Sequence, residues 1–384
     1  MEFKALYQDY KEETLSGRYI TNNHIEPLLN KLASDFKITT AGLSVNKQPI
    51  YTIEVGTGDQ KIYMWSQMHG NESTTTKALF DFINLLNSNS SLAKALKETF
   101  RFMIIPIANP DGATAYTRVN ANAVDLNRDS VNLSQPESRL LRHIYDNFQP
   151  DYCFNLHDQR TIFGAGNTGK PATVSFLAPA YNENRDINTV REKAIGIIVA
   201  INEELQKYIP GQVGRFDDSF NNNCIGDCFQ SLGTPTILFE AGHYPNDYER
   251  EVTREYIFIA YLVAMLTISK SEHVSNKTVE YFEIPQNMIV FFDFIYKNIK
   301  IDAADNQKIT NFAAQYKETL ENDKINFEAY IAEIGTLSEY FGHTVYDFKE
   351  ETILNEKGFV PVINDKADFL VGNKQKIVNG LLKK

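Results

Sequence analysis

A disulfide framework and an excess of basic residues are both missing from this chain. Its three cysteines, Cys153, Cys224 and Cys228, are too few for such a framework and are typical of a reducing compartment. The formal net charge of −11 at pH 7 argues against nucleic acid and anionic membrane surfaces as main partners. The sequence therefore predicts a protein that binds neither nucleic acid nor membrane.

The chain also lacks a long apolar run and a recognisable targeting segment. Its longest apolar run, residues 256–268, is too short to span a bilayer. The first residues are charged from position 2 onward, unlike a signal peptide, and neither an internal repeat nor a low-complexity segment stands out. These features predict a cytoplasmic location.

Composition and periodicity predict a folded α/β protein. The 384 residues are 43% hydrophobic and 23% charged, which is enough apolar material for a sizeable core. Over residues 1–270, short apolar runs alternate with segments of helical periodicity. This alternation predicts a mixed, mostly parallel sheet flanked by helices. After residue 270 the pattern changes, and residues 275–384 are predicted to form a small α+β appendage with an acidic helical stretch at 311–333.

Polar side chains follow four of the predicted strands at the points where these strands end. The end residues are His69 and Glu72, Asn109 and Asp111, His157, and Glu240. An apolar run that stops at a Gly or Asn break is how a strand delivers polar side chains to its end. Because ligands of α/β sheets lie off the carboxyl ends of the strands, we expect these side chains to share one site.

These end residues include the ligand types of a catalytic zinc site. Imidazole nitrogens and carboxylate oxygens are good zinc ligands, and a catalytic zinc needs three protein ligands and an open position for water. His69, Glu72 and His157 supply such a His₂Glu set, which predicts one Zn²⁺ per chain. The zinc would lower the pKa of water and polarise a carbonyl oxygen.

Other polar residues fit the remaining steps of amide hydrolysis. Glu240 can take the proton of the water and return it to the leaving amine. Arg118 is the candidate partner of the oxyanion, although it could instead pair with an aspartate in a surface network. Asn127 and Arg128 are suited to holding a carboxylate, which predicts cleavage next to a chain end.

Several short motifs, in this order along the chain, resemble the zinc metallocarboxypeptidases of the pancreatic type. The motifs are HGNE at 69–72, NPDG at 109–112, RVN at 118–120, VDLNR at 124–128, FNLH at 154–157 and LFEAG at 238–242. The resemblance implies a zinc carboxypeptidase-like domain over residues 1–270, in a bacterial-like, cytoplasmic member of the family. The His₂Glu set is itself that of carboxypeptidase A, so the resemblance supplies part of the ligand assignment.

The resemblance also implies an activity and a role for each site residue. It implies a zinc hydrolase that removes the last residue from a peptide with a free C-terminal carboxylate. The implied roles are zinc binding by His69, Glu72 and His157, polarisation of the scissile carbonyl by Arg118, binding of the terminal carboxylate by Asn127 and Arg128, and general base catalysis by Glu240.

The chain departs from the family before the general base. The digestive members place a tyrosine there that closes over the substrate, whereas residues 216–230 contain none and Tyr244 is the nearest. Two alternatives stay open. One is a related zinc amidase or deacylase acting on N-acyl amino acids or cell-wall peptide fragments, and the other is a peptide-binding protein without activity.

Overall fold

The computed structural model describes residues 2–270, 275–303, 306–372 and 375–383. The helices are α1 (Phe3–Tyr10), α2 (Asn22–Leu29), α3 (Thr74–Leu86), α4 (Ser91–Thr99), α5 (Pro110–Ala115), α6 (Pro136–Phe148), α7 (Thr189–Leu205), α8 (Ile225–Ser231), α9 (Glu251–Lys270) and α10 (Thr278–Glu283). The strands are β1 (Lys37–Leu43), β2 (Pro49–Val55), β3 (Gln60–Ser66), β4 (Phe100–Ile105), β5 (Tyr152–Asp158), β6 (Phe163–Ala165), β7 (Val174–Leu177), β8 (Val213–Arg215), β9 (Thr236–Ala241), β10 (Asn287–Ile289), β11 (Phe291–Ala303), β12 (Asn306–Glu321), β13 (Lys324–Gly335), β14 (Phe341–Asp347), β15 (Ile353–Leu354), β16 (Phe369–Val371), β17 (Gln375–Val378) and β18 (Leu381–Lys383).

The chain divides into two compact units. The first comprises Met1–Gln159 and Ala172–Asn287, and the second comprises Arg160–Pro171 and Met288–Lys384. The sequence predicts a division at 270–275, and the structure differs from this prediction at two places. Helix α10 belongs to the first unit because Tyr281 is buried there and its hydroxyl oxygen accepts a hydrogen bond from the amide of Ala178 at 3.0 Å.

The second difference is the segment 160–171, which leaves the first unit directly after β5. In the second unit the carbonyl oxygen of Ile162 accepts hydrogen bonds from the amides of Val290 and Phe291, both at 3.1 Å. The carbonyl oxygen of Thr161 lies 2.8 Å from Nε2 of His343. The sequence predicts that this segment belongs to the surrounding domain, because these long-range contacts leave no local pattern in the sequence.

An eight-stranded mixed sheet forms the centre of the first unit, in the order β1-β2-β4-β3-β5-β9-β7-β8. Strands β4, β3, β5 and β9 run parallel, so their carboxyl ends lie along the same edge. Strands β1 and β2 on one side and β7 on the other join antiparallel, and β8 is parallel to β7. The predicted α/β fold with a mixed, mostly parallel sheet is confirmed.

Helices cover both faces of this sheet, and the side chains of β3 contribute to the core on each face. Ile62 and Met64 belong to the larger core cluster, which includes residues of α3, α7 and α9. Tyr63 and Trp65 belong to the second cluster, which includes residues of α6 and α8. Because successive strand side chains point to opposite faces, a strand buried on both must be apolar throughout.

Helix α9 is the one described helix that is long and apolar enough to cross a membrane. However, 72% of its apolar window is buried within the protein. A central helix of a folded domain has the same composition, because it packs against neighbours all round. The helix therefore adds little support for a membrane span.

The second unit is a β structure, and none of its described residues lies in a helix. Two four-stranded sheets, β13-β12-β11-β14 and β15-β16-β17-β18, contribute side chains to one core cluster. The predicted α+β appendage is therefore wrong in its helical part, since residues 311–333 form most of the β12–β13 hairpin. In β12, Phe312 and Ala314 are two residues apart and share the core, and this period of two outweighs the acidic composition.

Candidate metal centre

The loop after β3 delivers two of the predicted ligands. The amide of Glu72 donates to the carbonyl oxygen of His69 at 3.1 Å, so the loop closes as a tight turn. A Cβ atom at Gly70 would lie 1.9 Å from the carbonyl carbon of Gly112. The motif HGNE thus needs its glycine because the loop lies directly against the NPDG turn that follows β4.

Three side chains converge at the carboxyl edge of the sheet. Nδ1 of His69 lies 2.8 Å from one carboxylate oxygen of Glu72, and Nδ1 of His157 lies 2.8 Å from the other. The two Nδ1 atoms are 3.1 Å apart, and the ligand atoms of all three residues lie within 4.8 Å of one another. The two imidazoles are buried. The structure therefore brings together the three predicted zinc ligands.

The chemistry of this donor set fits a zinc ion. Two imidazole nitrogens that face each other across 3.1 Å repel unless a proton or a cation lies between them. Burial lowers the pKa of His157, which favours the neutral, metal-binding form. Although burial opposes it, the two histidines hold the pKa of Glu72 well below its usual range, so this carboxylate is ionised. Two neutral imidazoles and one carboxylate are the ligands of many catalytic zinc sites.

Asp125 orients the first histidine, a role that was not predicted from the sequence. Its Oδ1 lies 3.0 Å from Nε2 of His69, so the other ring nitrogen of His69 is the one that faces the centre. Burial lowers the pKa of His69, but Glu72 and Asp125 together raise it above its ordinary value. A signal was available in the sequence, because Asp125 stands inside the VDLNR motif.

Arg118 lies beside the carboxylates of Glu72 and Asp125. Its Nε donates to Oδ2 of Asp125 at 3.0 Å, and its Nη1 donates to Oε1 of Glu72 at 3.3 Å. The side chain is 46% exposed. The guanidinium therefore stands at the open side of the centre, where it can reach a group that approaches from solvent. The aspartate that it pairs with is Asp125, while Asp111 instead accepts a hydrogen bond from the hydroxyl of Ser44 at 2.8 Å.

Glu240 faces the centre from the neighbouring strand. It is the β9 residue paired with His157 of β5, so both side chains project from the same face of the sheet. Its Oε2 is buried without a hydrogen-bond partner among the described residues. Burial first, and then the charges of Glu72 and Asp158, raise the pKa of Glu240 well above its ordinary value. A carboxyl group whose pKa is raised by burial and by neighbouring charges is a candidate for proton transfer.

Asn127 and Arg128 lie where a short 3₁₀ helix, Leu126–Arg128, meets the start of α8. Nη1 of Arg128 lies 2.7 Å from the carbonyl oxygen of Asn127 and 3.1 Å from Sγ of Cys224. The side-chain oxygen of Asn127 accepts a hydrogen bond from the backbone amide of Ile225 at 3.0 Å. The backbone amide of Asn127 donates to Oδ1 of Asp125 at 2.9 Å. Asp125 thus connects the segment of Asn127 and Arg128 to His69, which is one of the predicted metal ligands.

Tyr244 does not stand out as a substitute for the missing tyrosine. Its ring packs against the larger core cluster and lies 6.2 Å from the ring of Tyr256.

Residues 24–158 match the zinc carboxypeptidase family. This range contains all the predicted site residues except Glu240. The chain is 30% identical over 134 residues to probable carboxypeptidase 2 of Arthroderma benhamiae, an alignment that covers 33% of this chain and 25% of that protein. It is 29% identical over 151 residues to carboxypeptidase SOL1 of Arabidopsis thaliana, covering 33% of this chain and 30% of that protein. The chain therefore spans only about a quarter to a third of these relatives.

Solved structures share the fold of about two thirds of this chain. A putative carboxypeptidase A from Shewanella denitrificans superposes with a TM-score of 0.55 at 18% identity, covering 66% of this chain and 69% of that one. A metallo-carboxypeptidase from Burkholderia cenocepacia gives a TM-score of 0.52 at 16% identity, covering 65% and 69%. Residues 24–158 of this chain are therefore similar to the zinc carboxypeptidase family, and about two thirds of the chain shares the fold of these solved structures.

Proposed function

We propose that the protein is a zinc-dependent metallocarboxypeptidase that removes the C-terminal residue of peptides with a free carboxylate. The observation that supports this most is the convergence of His69, Glu72 and His157, with Glu240 paired to His157 and not used as a ligand. A zinc ion held by the three ligands would supply Lewis-acid chemistry, polarising the substrate carbonyl and lowering the pKa of water.

The protein's own residues carry the other steps. Glu240 takes a proton from the attacking water as its oxygen bonds to the carbonyl carbon. When the carbon–nitrogen bond breaks, the same carboxyl returns that proton to the leaving amine, which its raised pKa favours. Arg118 donates hydrogen bonds to the developing oxyanion, and loss of such a donor typically costs about 3–4 kcal/mol of transition-state stabilisation.

Asn127 and Arg128 would hold the terminal carboxylate and so restrict cleavage to the last bond. The Arg128 guanidinium has one contact to a backbone carbonyl and one to a thiol, so the carboxylate of a substrate would be a stronger partner. A peptide with a free carboxylate is accordingly the proposed partner. The cytoplasmic location also stays a prediction, and it agrees with three cysteines that are all free thiols.

The test measures metal content and hydrolysis together. Purified protein is analysed for metals and then incubated with a peptide library, with and without chelator, and the products are read by mass spectrometry. We expect one zinc per chain and a chelator-sensitive loss of single C-terminal residues. Zinc without peptide trimming, but with release of acyl groups from N-acyl amino acids, would favour the amidase or deacylase. Absence of metal would favour a binding protein.

A further inference from the structure

The helix that follows the Glu72 ligand is not capped by its own sequence. α3 starts at Thr74, and the preceding Ser73 turns its hydroxyl towards the carbonyl oxygen of Arg18, at 2.6 Å. The first amides of any helix need external acceptors, because no preceding turn of the helix supplies them. A helix start that is buried, as this one is, needs them more because water is excluded.

Asp158 of β5 supplies these acceptors from a distant part of the chain. The amide of Thr74 donates to its Oδ2 at 2.8 Å, and the amide of Thr75 donates to its Oδ1 at 3.2 Å. Thr74 and Thr75 lie 84 and 83 residues before Asp158 in the sequence. Both carboxylate oxygens are thus used to hold the start of α3 against the end of β5.

The backbone of the same residue holds the Glu72 ligand. The amide of Asp158 donates to Oε2 of Glu72 at 3.2 Å, the oxygen that also lies 2.8 Å from Nδ1 of His157. Asp158 therefore binds both ends of a short segment, with its backbone amide at Glu72 and its carboxylate at the first turn of α3.

The burial of Asp158 shows that the fold gives up solvation of this carboxylate. Its residue is only 6% exposed, and burial raises the pKa of its carboxyl group although Arg18 and Arg250 lower it. A buried carboxylate is costly unless charge and hydrogen bonds compensate it. The compensation includes two backbone amides and two guanidinium groups, so this is a built arrangement.

We propose that Asp158 is a positioning residue of the metal centre. It fixes the segment that carries His69 and Glu72 to the strand that carries His157, so that the three ligands stand ready before the metal binds. Ligands from separate segments bind a metal tightly only when surrounding groups hold them in place. The inference rests on the proposed zinc site, and its test separates the two.

The test compares the metal affinity of Asp158→Ala with that of the wild type. Removal of both acceptors frees the start of α3, and we expect the zinc dissociation constant to rise about 10–100-fold. Affinity is measured on metal-free protein by competition with a chromophoric chelator. The visible absorption of bound Co²⁺ is recorded as well, because it changes when the ligands shift. Asp158→Asn keeps one acceptor oxygen, so we expect a smaller loss of affinity.

A matched control is the N-terminal cap of α7. The side chain of Asn188 accepts from the amide of Arg191 at 2.9 Å, and α7 carries none of the metal ligands. Asn188→Ala also removes a helix cap, so it should lower the melting temperature of the metal-free protein. It should leave zinc affinity and the Co²⁺ spectrum unchanged. A positioning role predicts a change in both only for the Asp158 variants.

The outcomes discriminate between the two proposals. If the wild type binds no zinc, the proposed function fails. If the wild type binds zinc and Asp158→Ala binds it equally well with the same Co²⁺ spectrum, the positioning role is overturned while the proposed function stands. Should Asp158→Ala fail to fold by circular dichroism, Asp158→Asn decides, and an unchanged affinity in that variant overturns the inference.

Discussion

The two units of this chain bury different kinds of side chain. The first unit buries many polar and charged groups, among them Arg254 and Asp81, which are both fully buried and lie 2.5 Å apart. In the second unit, the polar residues that are buried in its described part are Asp293 and Thr310. Its core instead stacks aromatic rings, such as those of Tyr346 and Phe348 at 6.1 Å.

The unit that buries many charged groups is also the unit that contains the candidate metal centre. Buried charges are costly, so a fold keeps them where they hold segments or perform reactions. Arg254 donates to the carbonyl oxygens of Leu15 and Glu12, at 2.6 and 2.8 Å, and so ties the N-terminal segment to the first unit. The candidate metal centre lies in the same unit. The second unit is stabilised mainly by apolar and aromatic packing.

The largest expected effect is on turnover and is confined to the first unit. Glu240→Gln removes the general base without removing a ligand, so we expect activity to fall roughly 10²–10⁴-fold with zinc content unchanged. Steady-state kinetics and elemental analysis check this. Glu328→Gln, in the second unit, is the matched control and should keep full turnover. Loss of zinc from Glu240→Gln would contradict its assignment as a base.

A second large effect is expected on the stability of the first unit. Asp81→Ala removes the fully buried carboxylate partner of Arg254 and leaves its guanidinium with the partly exposed carboxylate of Glu251, at 3.1 Å. Breaking a buried pair typically costs about 3–5 kcal/mol. Urea unfolding followed by circular dichroism measures the loss. Glu328→Ala breaks the exposed pair with Lys366 and should barely change the melting temperature. Equal effects would show that the contrast in buried charge does not govern stability.

A smaller and equal effect is expected from apolar packing in either unit. Ile331 of the second unit and Ile198 of the first are both buried, and Ile→Val at each should cost about 0.5–1.5 kcal/mol. The free energy of unfolding in urea measures both losses. Zinc content should stay at one per chain in each variant. A loss of metal from Ile331→Val would show that the second unit is needed to form the centre.

The smallest effect concerns acid. Asp129 of the first unit accepts from the amides of Ser134 and Gln135, at 3.0 and 2.9 Å, and although burial opposes it, these bonds lower the pKa of Asp129. A carboxyl group with a lowered folded pKa stabilises the protein above its unfolded pKa, and this contribution is lost as the pH falls through the folded value.

The window for this effect lies below about pH 4, the ordinary pKa of an aspartate. We expect Asp129→Asn to be less stable than the wild type at pH 7. The difference in stability between the two proteins should shrink as the pH falls below about 4. Thermal unfolding monitored between pH 7 and pH 3 measures the difference. A constant difference over this range would show that the charge of Asp129 is not the stabilising feature.

Local patterns predicted which side chains meet at the carboxyl edge of the sheet better than they predicted the second unit. The HGNE, FNLH and LFEAG motifs each stand at a strand end, so strand and ligand could be predicted from the same few residues. The acidic stretch at 311–333 resembled a helix because of its charges. Its actual structure depends on pairing with a neighbouring strand, for example Tyr316 with Ala329, and on a core to which distant strands contribute.

The sequence by itself determined the α/β class and predicted that His69, Glu72, His157 and Glu240 stand at strand ends, because these features depend on residue type and on short spacing along the chain. Tertiary structure alone decided that Asp125 orients His69 and that Asp158 caps α3. Such contacts join residues that are 56 and 84 positions apart, so the VDLNR motif can mark Asp125 as a residue of interest but cannot show which partner it meets. It also decided that residues 160–171 belong to the second unit, since only the folded chain brings their hydrogen-bonding groups to Val290 and Phe291.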